Sequence, residues 1–449
     1  MPHPIIQEPS WLSFSEDGHE KYTRPLLGSE IIHDTAHRLN DGLGEVCMGL
    51  TFTTQLDSQD LVKRAKESLA RLRFFVPIVA SEIVSDSKSP TGRTWVYTPS
   101  NSEIINDWVN ASITIRIGEF NPEDIIHEMN LQRLPYTHPD GQLQHTHWYL
   151  LCDKDHHGLF MHGPHTMMDA WPTLKNLDKL LEWIADPPDI PLSSLAWGDE
   201  WKNLPAGPMT ATGGAREDWD TRGVKLLERI GKLRMNPVPT HSLHPTRDTI
   251  KQVGKMTRLH DSFSEELSSS LAKAVKRLGF TVGQLADAAV VLALFEGNQI
   301  SVGCKSGSEC HVTLDPVVMS QDRYLVGSSR EHSHFVSGLC LVPISVPYSK
   351  INWQGSSKER LLSVMKMIKD QYDHFLENDN LPHVLPAQLT MYRPQQAGDF
   401  ANQHASIMTN IGRLESLVSS TYGSKGDNRL PVIEVTDMIF GHRLGWQRL

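Results

Sequence analysis

The stretch Gly158–Trp171, GLFMHGPHTMMDAW, holds the residues best suited to chemistry. Within it His165 and Asp169 form an HxxxD pattern. Imidazole is the side chain whose ordinary pKa, about 6.5, lets it take and return a proton near neutrality. A carboxylate four residues on can hold that ring, or brace the turn by pairing with an arginine. Gly163-Pro164 directly before the histidine predicts a turn. His165 then stands at a strand end rather than inside the strand. Rigidly supported turns of this kind commonly carry catalytic side chains.

Histidine is abundant, with 22 in 449 residues. Seven of them, His138, His145, His147, His156, His157, His162 and His165, fall within residues 138–165. His162-x-x-His165-x-x-x-Asp169 offers three metal-ligand types. HExxH and CxxC are absent, however, and within this cluster HxH occurs only at His145-Thr-His147. Adjacent strand residues face opposite sides, so His156 and His157 cannot serve one site. His145 and His147 share a face if their strand is regular. The expectation is no metal, chemistry at His165, and His162 as a candidate neighbour in the site. The other clustered histidines read as strand and turn positions. GxSxG, GxxxxGK[ST] and GxGxxG are also missing, which removes the hydrolase elbow and the phosphate-cradling loops. The five cysteines are odd in number and scattered. They read as buried, inert thiols in a reducing, cytoplasmic compartment.

Several elements must position this segment. Val46–Leu56 reads as a strand, followed by a helix capped at Asp57 or Ser58 with Leu61, Ala65, Leu69 and Leu72 on one face. Further strands are expected at Arg93–Tyr97, Ser112–Ile117, Thr146–Cys152 and Leu159–His162. A polar turn at Asp153–Gly158 joins the last two. A helix starting near Met168–Ala170 carries Leu174, Leu177, Leu180, Leu181 and Ile184, with Pro172 tolerated in its first turn. Prolines and glycines spread through residues 186–250 predict a crossover linker containing one basic helix, Thr221–Met235. Beyond it lie a strand at Met256–His260 and a helix from about Ser264 to Leu278. Val282–Glu296 is a helix capped by Thr281 and apolar enough to be buried on most sides. Ser357–Glu377 is amphipathic. Strands are expected at His311–Val318, Ser337–Val346, Ala405–Asn410 and Val432–Val435. The division is an N-terminal domain of 1–190, a linker of 191–250 and a C-terminal domain of 251–449, in an α/β fold with mixed sheets.

Composition excludes other classes. Lys and Arg total 43 against 53 Asp and Glu, a net charge of -10. No basic excess exists to drive binding to nucleic acid or an anionic membrane. No run of 18 apolar residues spans a bilayer, and MPHPIIQEPSWLSFSEDG has neither region of a secretory signal.

The motifs together resemble the chloramphenicol-acetyltransferase-like superfamily. It includes the plant-type HxxxD acyltransferases, peptide-synthetase condensation domains and fungal secondary-metabolite O-acetyltransferases, and the texture here is nearest the fungal trichothecene 15-O-acetyltransferase branch. Arg24-Pro-Leu-Leu-Gly28-Ser-Glu30 resembles its opening RxLGxxE. His165–Asp169 follows a strand of the first half. The Ala-rich segment from Thr281 resembles the helix opening its second half. Thr409-Asn410-Ile411-Gly412 resembles its [TS]NxG strand end. The resemblance implies two similar α/β domains with an active-site tunnel between them. His165 would be the general base, without a covalent acyl-enzyme. Asp169 would point away from the substrate and brace the loop through an arginine, for which Arg323 is the candidate. Thr409, Asn410 or a backbone N–H near Ala170 would donate to the oxyanion. Acyl-CoA, in the form of acetyl-CoA, would be a co-substrate rather than a tightly bound cofactor. The acceptor would be a hydroxylated secondary metabolite such as a terpenoid or polyketide, and the protein a monomer. Departures exist: Pro164 replaces a frequent second histidine, Ala170 replaces a usual glycine, and Phe440-Gly441 and Gly445-Trp446 are only fragments of a DFGWG motif. They leave room for a repurposed cyclisation, a condensation using a carrier-protein thioester, or a non-catalytic ligand-binding member.

Overall fold

The computed structural model describes residues 8–39, 42, 44–137, 143–234, 240–242, 261–297, 310–314, 317–319, 324–327, 340–391, 409–423 and 430–443. The chain opens with a hairpin, β1 (Leu12–Glu16) and β2 (His19–Pro25), and helix α1 (Ser29–Leu39). Next come β3 (Glu45–Thr54), α2 (Ser58–Phe75), β4 (Glu82–Ser85), β5 (Arg93–Tyr97), α3 (Ile105–Ser112), β6 (Ile113–Ile117) and α4 (Pro122–Leu131). A small hairpin, β7 (Tyr136–Thr137) and β8 (Leu143–Gln144), leads into β9 (His147–Cys152), β10 (His157–Pro164) and α5 (Ala170–Ala185). Short turns and α6 (Pro208–Ala211) then precede α7 (Val224–Arg234).

Two sheets organise this part. One has the order β1-β2-β5-β4. The other contains β3, β10, β9 and β6 and is extended by two C-terminal strands, β15 (Thr421–Tyr422) and β16 (Ile433–His442), in the order β15-β16-β3-β10-β9-β6. Only β6 and β9 are parallel in it. Residues 433–442 thus sit inside a sheet whose other long strands come from residues 45–164. Alternate residues of β3, Val46, Met48, Leu50 and Phe52, face the main core, where Leu61, Leu69 and Leu72 of α2 meet Leu174, Leu177 and Leu181 of α5. Cys47, Tyr149, Phe160 and Ile439 line the opposite face under α4.

A second core forms around α8 (Glu265–Arg277), α9 (Val282–Gly297), α10 (Ser357–Leu376) and α11 (Leu381–Met391). Its strands are β11 (His311–Leu314), β12 (Val317–Met319), β13 (Cys340–Leu341) and β14 (Ile344–Pro347), paired as β11-β14 and β12-β13. The single strand expected over Ser337–Val346 is divided here, because Pro343 has no N–H for a ladder. Thr281 and Gln284 cap α9 reciprocally, at 3.1 and 2.9 Å. Burial of α9 is one-sided: Ala288, Val291 and Leu294 are buried while Ala289, Ala293 and Glu296 stay exposed.

Two expectations need correction. β10 begins at His157, because its neighbours on both sides, Cys152 and Phe52, pair with residues that read as turn. Cys310 is disulfide-bonded, so it is not an inert thiol. Sequence spacing cannot show which sulfur a fold brings to it. Cys47 and Cys152 are free and buried, and burial pushes their thiol pKa values up, to about 11 for Cys152. Met256–His260 lies outside the described residues. Among those described, no single helix is long and apolar enough to cross a membrane.

α9 also carries a buried carboxyl. Asp287 Oδ2 accepts from the Tyr372 hydroxyl at 3.1 Å, yet burial outweighs that bond and pushes its pKa up to about 6 from 3.8. Such a group costs nothing below the unfolded-state pKa. The cost grows between about pH 4 and 6, as the unfolded chain ionises first, and then stays constant. Asp287→Asn keeps an acceptor for Tyr372. It is expected to stabilise the protein above pH 6 by about 2–3 kcal/mol and to be neutral near pH 4. Urea denaturation at the two pH values measures the difference.

Candidate active site

His165 lies in the turn between β10 and α5, where β3, β10 and β16 end together. Pro164 closes the strand opposite Glu45. Its carbonyl then accepts the N–H groups of Met167 and Met168 at 2.9 and 3.0 Å, which coils the turn. The His165 N–H donates to the Gly44 carbonyl at 2.8 Å. Gly44 sits at φ +89°, a conformation open to glycine at little cost, with His165 Cβ only 3.7 Å from where its own Cβ would be. The turn therefore lifts His165 out of the sheet. Its side chain is 18% exposed, whereas that of His162 is 0% exposed.

Asp169 is the N-cap residue of α5 and is buried. Its Oδ1 lies 3.1 Å from His165 Nδ1, at ion-pair distance. The two atoms are not aligned as a hydrogen bond, but a carboxylate only accepts, so at this distance it favours the neutral tautomer with its proton on Nδ1. Nε2 is then the basic nitrogen, on the far side of the ring. The N-terminus of a 16-residue helix favours the negative charge of Asp169. The expected brace to Arg323 lies outside the described residues; the carboxylate is drawn toward the histidine itself.

Two residues that the sequence reading missed complete the surroundings of His165. The ring of His33, from α1, stacks on it at a centroid distance of 4.3 Å and 17°. The ring of His442, at the end of β16, meets it edge-on at 5.4 Å and 79°. The available signals were the i, i+4 pair His33/His37 just after the RxLGxxE segment, and a histidine directly after Phe440-Gly441.

His162 belongs to a different assembly. It points to the α4 side of the sheet, with Nδ1 at 3.0 Å from the Tyr136 hydroxyl and Nε2 at 3.5 Å from Glu45 Oε2. Glu45 Oε1 also meets His37 Nε2 at 3.0 Å, and Arg443 approaches Oε2 at 4.0 Å. Burial raises the Glu45 pKa, but His162 and His37 together outweigh it and hold the carboxyl below its usual range. Tyr136 continues the chain to Tyr149 and Gln132 at 3.0 and 2.9 Å. Glu45 thus ties α1, β10 and the chain after β16 together behind His165.

The rest of the histidine cluster divides by surroundings. His147 Nε2 pairs with Thr114 Oγ1 at 2.8 Å. His145 precedes the regular strand and lies near His37, Arg93 and Asp34 instead, so the two do not share a neighbourhood. Burial first, then the positive charges of His37 and Arg93, push the His145 pKa down to about 3. His156 is exposed and His157 buried, on opposite sides. His138 is outside the described residues. Among the described residues no three His, Cys, Asp or Glu side chains converge as a metal cage. Thr409 and Asn410 are exposed, and no strand includes them. Asn410 Oδ1 accepts from the Gly412 N–H at 2.8 Å. Among the described residues no hydrogen bond or ion pair joins either to His165.

This chain has the chloramphenicol-acetyltransferase-like fold that acyltransferases share with condensation domains. It is similar in structure to the TRI3 trichothecene 15-O-acetyltransferase from Fusarium sporotrichioides. The TM-score is 0.75 at 18% identity, covering 99% of this chain and 90% of that one. The condensation domain of the monacolin K polyketide synthase MokA aligns with a TM-score of 0.56 at 13% identity, over 95% and 86% of the two chains. The first condensation domain of the calcium-dependent antibiotic synthetase gives 0.55 at 14%, over 86% and 80%. No protein-family model matches the sequence, and no curated protein matches it.

Proposed function

We propose that this protein is an acyltransferase that moves an acyl group, acetyl in the simplest case, from coenzyme A to a hydroxyl of a small secondary metabolite such as a terpenoid or polyketide. The observation that carries this reading is His165, raised from the sheet with Nδ1 at Asp169 and Nε2 as the basic nitrogen, in a fold shared with an O-acetyltransferase. In the reaction Nε2 removes the acceptor hydroxyl proton as the oxygen attacks the thioester carbonyl. The resulting imidazolium is stabilised by Asp169. When the tetrahedral intermediate collapses, the carbon–sulfur bond breaks and His165 returns the proton to the thiolate. No covalent acyl-enzyme is needed.

The oxyanion calls for donors. The N–H groups of Ala170 and Trp171 open α5 and have no acceptor within the helix. They join Thr409 and Asn410 as candidates. The test is purified protein with acetyl-CoA and a panel of hydroxylated terpenoids and polyketides, following free thiol and product mass. Acceptor-dependent thiol release with an acetylated product supports the reading. Transfer from an acyl carrier-protein thioester but not from CoA would move the protein to the condensation type, which the condensation-domain neighbours favour as second choice. A rearranged substrate with CoA unchanged would make it a cyclase.

A further inference from the structure

The stack of His33 on His165 is held by the framework on both sides rather than by the two rings alone. Next to His33 on α1, Asp34 receives two bonds from Arg93 of β5, at 3.2 and 3.1 Å, and one from Arg38 at 2.9 Å. One turn further along the same face, His37 meets the buried Glu45 carboxylate at 3.0 Å. These anchors fix α1 against two different sheets, so the ring of His33 has little freedom to leave His165. An imidazole in a surface turn would otherwise rotate about its side-chain bonds, and either nitrogen would exchange places with the other. Among the described residues three contacts bear on that rotation: Asp169 at Nδ1, His442 edge-on, and the flat face of His33. Only the last covers the plane of the ring.

We infer that His33 is a positioning residue for His165: its stacked ring holds the imidazole in the one orientation that keeps Nδ1 on Asp169 and presents Nε2 as the base. This rests on the reading of His165 as the base, but its main readout needs no substrate. The role belongs to the flat face and not to a proton on His33, so an aromatic ring of similar width should replace it. The Glu45–His37 pair acts one step back, by holding the helix that carries His33.

The test is nitrogen-15 NMR of the histidine rings in the full-length protein, with His165 assigned by comparison with His165→Ala, alongside kinetics of the transfer reaction. Wild type is expected to show His165 as a single Nδ1–H tautomer at pH above 7.5. His33→Ala should give a mixture of the two tautomers and lower kcat by about tenfold with KM little changed. His33→Phe should restore both the single tautomer and most of kcat, which a loss of folding in the alanine variant would not explain. A single Nδ1–H tautomer in His33→Ala would overturn the inference, as would His33→Phe behaving like His33→Ala. If His165→Ala kept full transfer activity, the reading of His165 as base would fail instead, and the tautomer measurement would still decide the role of His33.

Discussion

Replacing His165 by alanine is expected to lower kcat/KM for acyl transfer by about 10²–10⁴-fold, the usual worth of a positioned general base. The loss should fall on kcat, because the ring acts on a proton that moves only in the transition state. The substitution removes a partly exposed side chain from a turn whose geometry is kept by main-chain bonds, His165 N–H to Gly44 and the Met167 and Met168 N–H groups to Pro164. The melting temperature should therefore change little. Asp169→Asn should also lose activity, since an asparagine amide can donate to Nδ1 and so favours the tautomer with its proton on Nε2, the nitrogen that would act as base. An alanine variant with full transfer activity would remove His165 from the mechanism, whatever the substrate proves to be.

The second large effect is on stability. Arg24 and Glu30 are both fully buried and joined by two bonds, 2.8 and 3.2 Å, and Glu30 Oε2 also accepts from Trp95 Nε1 at 3.1 Å and the Leu27 N–H at 2.8 Å. Removing one member of such a pair leaves the other charge buried without its partner. Arg24→Met is expected to cost about 3–5 kcal/mol. Adding Glu30→Gln should recover part of this, because a glutamine carries no charge yet still accepts from Trp95 and Leu27. A urea-denaturation cycle over the two single variants and the double variant measures the coupling. The idea fails if the double variant is the sum of the singles. Gly28 lies between the two residues at φ +55°, and a Cβ there would come within 2.9 Å of the Pro208 ring. The Arg24-x-x-Leu27-Gly28-x-Glu30 spacing is thus a strand end, a left-handed turn and a helix start clamped by one ion pair.

The turn that carries His165 was legible because its signals are local. Gly163-Pro164 before His165 and Asp169 at the start of an apolar-faced helix are properties of neighbouring residues, and the structure has both a turn and a helix there. Asp57 and Thr281 were legible as caps for the same reason. What could not be read is contact across long sequence distance. His33 and His442 lie 132 positions before and 277 positions after His165, and the local signals at each do not say which residue it meets. The strand expected as Val432–Val435 runs on to His442 because β3 offers a partner for its whole length, although Asp437 and Gly441 are poor strand formers in isolation. His162 was drawn toward the site by its spacing of three from His165. The pleat sends it to the opposite side of the sheet, into the pocket of Glu45 and Tyr136.

The place of β16 in the sheet also sets an order of events. Between β15 and β3 there is a gap that only residues 433–442 can fill. A ribosome releases them after everything else that builds this sheet. While the chain is being made, Val46, Met48 and the turn of His165 must wait beside an open strand edge, in need of protection from pairing with other nascent chains. His165 and its surroundings are consequently finished only once residues 433–442 have been made. A protease that nicks the chain just before residue 433 would remove an inner strand of the sheet and the ring of His442 in one cut.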